Sequence, residues 1–514
     1  MISHIYIVFF FIATIYVIPY PASPNETCPG EISLRKCLNQ SGFKGPAYFR
    51  YDRRDLAYNV DLGIEYNLRV IYFPVAFVHP LDESDVSIAI QCGKNFSIVA
   101  RSGGHSFESY SIGSENCTLV VDLINFNEIS IDEIAETVVV GAGNRLGTLY
   151  YELNNSGFAF PSGSCVDVGV GGIILGGGEG LLARKFGMSS DNILDAKIVL
   201  ANGSIIENAS DYHDLFWALQ GAGNAGYGIV TSLKLKIYRI PERVTFMDFK
   251  YEASLNAIKS IYSTLNKLGQ AFDQNLSMEI IHWHPENLTS VRGLYLGPES
   301  NLNEILQEFI EGSKPIDTKY YEEDWFSTIV RDASFPMRTV EGAKHPRNTP
   351  APVKVKSFYV NNSGLSPKGV ESLFNFMWEV NCPMFIDTTL YGGGSHYNDS
   401  RTGTAFVHRG FMYHISIGMT LPISDERLID EKCLTQLKQF AESFQETYTS
   451  NESYQNVIDK ELDKWQCRYY GENFKKLVEI KRQYDPYNLF NWAQSIPRTS
   501  EINCTNWNLE SYRN

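Results

Sequence analysis

The chain has 514 residues, of which 44% are hydrophobic and 20% are charged, and its formal net charge is −15. This composition is ordinary for a globular protein, and the length predicts two or three domains. The acidic balance argues against nucleic acid as a partner, because phosphate binding requires clustered positive charge.

An apolar run over residues 5–18 opens the chain and is followed by PYPASP. The run is shorter than the ~20 residues that span a bilayer comfortably. We therefore predict a secretory signal over residues 1–22 and expect no membrane contact after its cleavage. No Lys or Arg precedes the run, so an uncleaved anchor is the alternative.

Glycosylation sequons and scattered cysteines support secretion. Asn-x-Ser/Thr sequons begin at Asn25, Asn39, Asn95, Asn116, Asn154, Asn202, Asn208, Asn275, Asn287, Asn361, Asn398, Asn451 and Asn503. Such a spread fits a glycosylated surface. The nine cysteines contain no CxxC pair, a pattern that favours disulfides over zinc. Their odd number leaves one cysteine over.

The elements change character along the chain. Up to residue 240, short β-rich runs such as FSIVAR, CTLVVDL and TVVVGAG alternate with helical stretches such as GTLYYELNN. From residue 241 to 452, strands such as SMEIIHWH, VKVKSFYV and FMYHISIGMTL alternate with amphipathic helices. We predict an α+β protein of two lobes, the second an antiparallel sheet covered by helices. The tail over residues 453–500 is expected to return to the first lobe.

Three glycine-rich turns fall in the predicted first lobe. They are RSGGHS (101–106), PSGSCVDVGVGGIILGGGEG (161–180) and GAGNAGYGIV (221–230). RSGGHS is neither a Walker A nor a GxGxxG motif. Each alone fits a tight bend as well as a ligand cradle, but three in one lobe favour a large phosphate-bearing cofactor.

The cysteine in the second turn, Cys165, has four possible roles on the residues alone: a disulfide half, a metal ligand, a nucleophile or a buried spectator. No set of cysteines and histidines has metal-ligand spacing, and His282 with His284 lacks a third partner, so we expect no metal. A nucleophile would need a nearby base, and the local sequence offers none.

In this order, the three turns and the C-terminal YYGENFKKLVEIKRQYDPYNLFNWAQSIP resemble the berberine bridge enzyme-like flavoproteins of the vanillyl-alcohol-oxidase superfamily. The resemblance covers about residues 37–497. It implies a PCMH-type FAD-binding domain over 34–240, a substrate-binding domain over 241–452 and a closing segment over 453–500. It also implies covalent FAD, through His105 to the 8-methyl carbon and through Cys165 to C6, and a Cys37–Cys92 disulfide.

The resemblance assigns further residues to the cofactor site. These are Arg101, Ser102, Gly103, Gly104, Val168, Gly169, Gly171, Gly172, Asn192, Gly226, Gly228, Ile229, Asn456 and Asn488. A valine at the Val168 position goes with oxidases in this family, which implies O2 as acceptor and H2O2 as product. The alternative is that Val168 is only a packing residue.

The catalytic base departs from the family pattern. Many relatives place a tyrosine at the position that is Val457 here, and others place a glutamate at the position of His414. Histidine titrates near neutral pH, so we assign the base to His414, with Tyr454 as second choice and Tyr391 as a further catalytic candidate. The alternative is that His414 is an ordinary strand residue.

Several polar residues of the second lobe are further candidates: Glu279, His282, Trp283, His284, Arg292 and Asp387. Strand alternation places Met278, Ile280 and His282 on one face and Glu279 on the other, and leaves open which face lines the cleft. Tyr110 is expected to form an aromatic wall.

Three functions fit these features. The first is a secreted monomeric FAD oxidase that transfers a hydride from a CH–OH group, such as the anomeric carbon of a mono- or oligosaccharide, to the flavin and then to O2. The second keeps the flavoenzyme but takes a phenolic alcohol or an alkaloid. The third is a secreted flavin-binding protein with reduced catalysis, which Val457 favours and the intact His105 and Cys165 disfavour.

Overall fold

The structure is a computed structural model that describes residues 28–50, 56–284, 288–333, 337–394, 399–421 and 427–504. The predicted signal segment and the sequons at Asn25, Asn287 and Asn398 lie outside these residues. The α+β fold of two lobes is confirmed. Among the described residues, no helix combines the length and the apolar character needed to cross a bilayer.

The first lobe contains a four-stranded sheet and a five-stranded antiparallel sheet. Their orders are β1-β2-β4-β3 and β5-β6-β10-β8-β9, and β7 pairs with β11. The strands are β1 (Ala47–Phe49), β2 (Ala76–Val78), β3 (Ile98–Arg101), β4 (Leu119–Asp122), β5 (Ile129–Asp132), β6 (Thr137–Gly141), β7 (Phe158–Ala159), β8 (Ile193–Leu200), β9 (Ile205–Ile206), β10 (Gly228–Lys236) and β11 (Tyr238–Arg239). The helices are α1 (Glu31–Gln40), α2 (Leu56–Leu62), α3 (Glu83–Cys92), α4 (Leu146–Asn155), α5 (Val170–Leu175), α6 (Ala183–Phe186) and α7 (His213–Ala222).

The second lobe is a seven-stranded antiparallel sheet in the order β15-β12-β14-β13-β17-β18-β16. Its strands are β12 (Val244–Tyr251), β13 (Leu276–His284), β14 (Leu288–Tyr295), β15 (Asp317–Glu323), β16 (Val353–Val360), β17 (Met384–Leu390) and β18 (Tyr413–Thr420). Its helices are α8 (Leu255–Leu268), α9 (Glu299–Ser313), α10 (Trp325–Asp332), α11 (Val340–Lys344), α12 (Pro367–Glu379) and α13 (Arg427–Tyr448). The domain boundaries at 240 and 452 stay a prediction.

The two faces of this sheet have different neighbours. Met278, Ile280 and His282 belong to the core beneath the covering helices, where the His282 ring meets Phe374 of α12 at 4.3 Å. Glu279 points the other way and lines the cavity between the lobes. Because side chains alternate along a strand, the helices on one face leave the other for a ligand.

The C-terminal segment returns to the first lobe through α14 (Trp465–Tyr470) and α15 (Phe474–Tyr484). Leu477 and Ile480 of α15 join the apolar core of that lobe. The buried Lys481 ammonium donates to the carbonyls of Gly226 at 2.6 Å and Phe490 at 2.7 Å, and pairs with Asp485 at 2.7 Å. The tail therefore fixes the third glycine-rich turn.

Four disulfides cross-link the described chain. The predicted Cys37–Cys92 bond is confirmed, and the other pairs are Cys28–Cys117, Cys382–Cys433 and Cys467–Cys504. Cys165 is the free cysteine. It is therefore not a disulfide half.

Candidate active site

A cavity of about 440 Å³ lies between the lobes, within the usual range for ligand sites. Three sources form its wall: the glycine-rich turns of the first lobe, the polar face of the seven-stranded sheet, and the start of the C-terminal segment. The predicted residues that line it are Ser102, Gly103, Gly104, His105, Tyr110, Cys165, Val168, Gly169, Gly171, Gly172, Gly226, Gly228, Glu279, Asp387, His414, Tyr454 and Asn456.

His105 follows β3 in a turn that several contacts hold in place. Gly104 has a φ of +67°, which glycine adopts without strain. The Tyr66 ring stacks on the His105 ring at 3.9 Å. His105 Nε2 lies 3.5 Å from Asp167 Oδ1. Burial disfavours the Asp167 charge, but the hydrogen bond from His105 and the positive charge of Arg145 keep the Asp167 pKa below its usual value.

Cys165 begins a tight turn beside this histidine. The Val168 N–H donates to the Cys165 carbonyl at 3.2 Å, and the Val166 carbonyl accepts from the Gly147 N–H at 2.9 Å. The thiol is accessible from the cavity. The surrounding protein atoms and the charge of Asp167 raise the pKa of Cys165 above its usual value. Both predicted attachment residues therefore face one cavity from separate loops.

Gly103 and Gly169 allow the backbones of the first and second glycine-rich turns to approach each other closely. A Cβ at Gly169 would lie 2.1 Å from the Gly103 nitrogen, and one at Gly103 would lie 2.4 Å from the Gly169 nitrogen. These glycines bring the His105 turn and the Cys165 turn together. Gly172 is different, because a Cβ there meets no atom within 4 Å and would enter the cavity. A flat cofactor can approach the backbone at Gly172, so the residues fit a flavin.

We expect Gly172→Leu to reduce the amount of bound flavin by more than tenfold, because the added side chain would enter the cavity. Gly172→Ala, with a smaller intrusion, should lose less. Flavin absorbance per polypeptide measures the effect, and circular dichroism checks that the fold is kept. Full flavin loading in Gly172→Leu would show that the cofactor does not approach this glycine.

Hydrogen-bonding side chains from three strands form the opposite wall. Glu279 on β13 pairs in register with Thr389 on β17, which in turn faces His414 on β18. Asp387 likewise faces Ser416. All five line the cavity, and Glu279 Oε1 and Asp387 Oδ1 are buried without a hydrogen-bond partner among the described residues. The wall can therefore accept hydrogen bonds from a ligand.

Burial and neighbouring negative charges raise the pKa values of the two carboxyl groups in this wall. Burial and the charge of Glu179 raise the pKa of Asp387 to about 7. Burial and the charges of Asp332 and Asp387 raise the pKa of Glu279 well above its usual value. Arg292 on β14 offsets part of this, since its guanidinium lies 2.9 Å from Asp332 Oδ1. At acidic pH the wall is thus less negative than its composition indicates.

His414 meets a carboxylate from the other lobe. Its Nδ1 lies 2.7 Å from Glu179 Oε2, whereas its Nε2 is buried without a described hydrogen-bond partner. The centroid of the His414 ring lies 5.0 Å from that of Tyr359 and 5.4 Å from that of Tyr454. The imidazole is therefore held on three sides while one nitrogen stays available.

Tyr454 has a hydroxyl that accepts two hydrogen bonds. The donors are the Gly178 N–H at 2.7 Å and the Asn456 side-chain amide at 2.8 Å. Burial and the charge of Glu179 raise its pKa above the usual value. Tyr454 therefore stays protonated at neutral pH, and with both lone pairs engaged it is better suited to donate than to accept a proton.

Five of the residues assigned to the cofactor or to catalysis do not line this cavity. Arg101 is buried in ion pairs with Asp61 and Asp122, beneath the His105 turn. Asn192 donates to the carbonyls of Phe186 and Met188. Ile229 is part of an apolar core, Asn488 adopts a φ of +56° in the tail, and the Tyr391 hydroxyl donates to the Met188 sulfur at 3.7 Å. The cofactor and catalytic roles of these five residues stay predictions.

Other residues line the cavity but were not predicted: Glu179, Thr389, Ser416 and Gln455. The sequence offered one indication for Glu179, since it is the charged residue that interrupts the glycines of GGGEG (176–180). Trp283 and Arg292, which were predicted, lie elsewhere; Trp283 is 43% exposed.

Comparisons with known proteins agree with this geometry. Residues 74–208 match a family model described as FAD binding domain, and residues 453–497 match one described as berberine and berberine like. Berberine bridge enzyme-like 9 of Arabidopsis thaliana is 31% identical over 450 residues, which cover 82% of this chain and 84% of the relative. A monolignol oxidoreductase of Arabidopsis thaliana, AtBBE-like 13, is 30% identical over 83% of this chain and 84% of its own length.

Solved structures show the same fold. The wild-type BBE-like 1 of Physcomitrella patens superposes with a TM-score of 0.84 at 32% identity, over 91% of this chain and all of the other. A chitooligosaccharide oxidase superposes with a TM-score of 0.82 at 25% identity and the same coverage. The chain therefore belongs to the berberine bridge enzyme-like family of FAD-linked oxidoreductases.

Proposed function

We propose that this protein is a secreted oxidase that holds FAD covalently through His105 and Cys165 and oxidises a CH–OH group of a mono- or oligosaccharide. The observation that carries the proposal is that His105, Cys165 and His414 line one cavity, with the attachment residues on one lobe and the base on the other. FAD held by His105 and Cys165 would supply the acceptor for the substrate hydride, and O2 would reoxidise it. The disulfides and sequons favour an extracellular location.

The residues of the chain have distinct tasks in this proposal. His414 Nε2 takes the proton of the reacting hydroxyl, since His414 lines the cavity and this nitrogen has no hydrogen-bond partner among the described residues. The Tyr454 hydroxyl donates a hydrogen bond to a substrate oxygen. Thr389 and Ser416, with the carboxyl oxygens of Glu279 and Asp387, bind neighbouring hydroxyls. Val168, a small residue on the cavity wall, leaves room for O2.

The polar wall supports a carbohydrate over an apolar ligand. A sugar presents several hydroxyl donors, and the unpartnered oxygens of Glu279 and Asp387 are acceptors. Relatives named as chitooligosaccharide and xylooligosaccharide oxidases share the fold, the latter at 24% identity. A phenolic alcohol or an alkaloid is the second candidate, because a relative is named a monolignol oxidoreductase.

Two measurements test the proposal. The purified protein is denatured in acid, and the yellow colour should stay with the polypeptide; colourless precipitate would contradict covalent flavin. The native protein is then screened for H2O2 release with xylobiose, a chitooligosaccharide, coniferyl alcohol and reticuline. Peroxide with a sugar supports the proposal, and peroxide only with an aromatic substrate supports the second candidate. Dye reduction without peroxide would indicate a dehydrogenase and contradict the role of Val168.

A further inference from the structure

We propose that Glu179 is a positioning residue that orients His414 and favours its protonated form during the reaction. The inference rests on the proposed role of His414 as proton acceptor. Its basis is the 2.7 Å contact between Glu179 Oε2 and His414 Nδ1. Glu179 belongs to the glycine-rich turn of the first lobe, whereas His414 lies on β18 of the second, so the pair spans the cleft between the lobes.

The contact determines which nitrogen is available. The Glu179 oxygen at 2.7 Å is a hydrogen-bond acceptor, so the Nδ1–H of His414 is the donor in this contact. In the neutral ring Nε2 is then an acceptor. Nε2 is also the nitrogen that is buried without a described partner, in a side chain that lines the cavity. The pair thus presents a proton-accepting atom to the substrate.

The turn that carries Glu179 is held firmly. Gly177 and Gly178 have φ values of +131° and +78°, so side chains would be strained at both positions. The carbonyls of Gly177 and Gly178 accept from the N–H groups of Ser190 at 2.8 Å and Ser189 at 2.9 Å. The Gly178 N–H also donates to the Tyr454 hydroxyl at 2.7 Å. One turn therefore contacts both His414 and Tyr454.

The charges around His414 make Glu179 its principal ionic partner. Tyr359 on β16 and Tyr454 of the tail face the ring as neutral groups, since burial raises both pKa values. Asp387 on β17 is the other acid near it, and burial raises the pKa of Asp387 to about 7. The side chains of Glu179 and His414 are 10% and 6% exposed, so water screens their attraction little. A carboxylate held against imidazole in this way stabilises the imidazolium that proton transfer creates.

The test compares Glu179→Gln with Glu179→Asp, His414→Ala and Glu371→Gln. Gln keeps the shape of the side chain and loses its charge; Asp keeps the charge on a shorter arm. Glu371 is an exposed residue of α12 and controls for the loss of one surface carboxylate. The first readout needs no substrate: the absorbance of bound flavin in the resting enzyme is titrated from pH 4 to 9. The second is the pH dependence of anaerobic flavin reduction with the sugar found in the peroxide screen.

We expect a transition in the wild-type titration that His414→Ala abolishes and Glu179→Gln shifts to lower pH by one unit or more. The acidic limb of the rate profile should shift in the same direction, and the plateau rate should fall at least tenfold. Glu179→Asp should restore part of both, and Glu371→Gln should match the wild type. An unshifted titration in a flavin-loaded Glu179→Gln protein would overturn the inference. If that titration shifts while His414→Ala still reduces flavin normally, the pairing stands and the proposed base is wrong.

Discussion

His414→Ala will slow flavin reduction by about 10²–10⁴-fold while leaving the flavin attached, the range that removal of a general base produces. The reason is its place in the cleft: His414 lines the cavity from β18, and no residue that the structure describes forms a hydrogen bond with its Nε2. We expect the flavin to stay attached in this variant, because His105 and Cys165 lie on the other lobe. Stopped-flow bleaching of the flavin under anaerobic conditions measures the rate.

Two variants make this result specific. Tyr454→Phe removes only the hydroxyl of the second candidate base, and we expect a smaller loss from it. His282→Gln alters a histidine on the same sheet but on the face covered by helices, so it should reduce flavin at the wild-type rate. A larger loss in Tyr454→Phe than in His414→Ala would transfer the base role to Tyr454. Normal rates in both would remove both residues from the mechanism.

The sequence predicted most strands of the second lobe, but it did not show which face of the sheet lines the cleft. The stretch SMEIIHWH was predicted as a strand, and the alternation of side chains along a strand divided its residues between two faces. Which face meets the ligand depends on α8, α9 and α12, which cover the Met278 side and leave Glu279 for the cleft. Edge strand β15 was not predicted, because DTKYYEE is polar and only partly buried, so its apolar alternation is weak.

Long-range charge pairs set the other limit on prediction from the sequence. Arg101 stands next to the His105 turn and is predicted to contact the cofactor, but the sequence does not show that Asp61 of α2 and Asp122 of β4 bind its guanidinium. Glu179 went unassigned because its partner His414 lies on the other lobe. Local patterns carry no information about such partners. The glycine-rich turns were easier, since their spacing follows from backbone geometry that is local.

Replacement of the two attachment residues will separate their contributions. Cys165→Ala and His105→Ala should each keep flavin on the polypeptide after acid precipitation, through the remaining bond, and the double variant should release it. Each single variant leaves the ring less firmly held, and a displacement of 1 Å costs about 10²-fold in rate. Intact-protein mass and absorbance of the precipitate measure attachment. Cys165→Ser is the isosteric control, and complete release of flavin by Cys165→Ala would contradict two tethers.

The two single variants should also differ in stability. His105 lies 3.5 Å from Asp167 and helps to hold the Asp167 pKa below its usual value. A carboxyl group with a lowered pKa in the folded state stabilises the protein above its unfolded pKa, and that stabilisation disappears as the pH falls through the folded value. Without His105, the buried carboxylate loses this partner, so at neutral pH His105→Ala should unfold at a lower temperature than Cys165→Ala. The difference should persist down to about pH 4 and shrink below it, and its absence at pH 7 would show that Asp167 does not depend on His105.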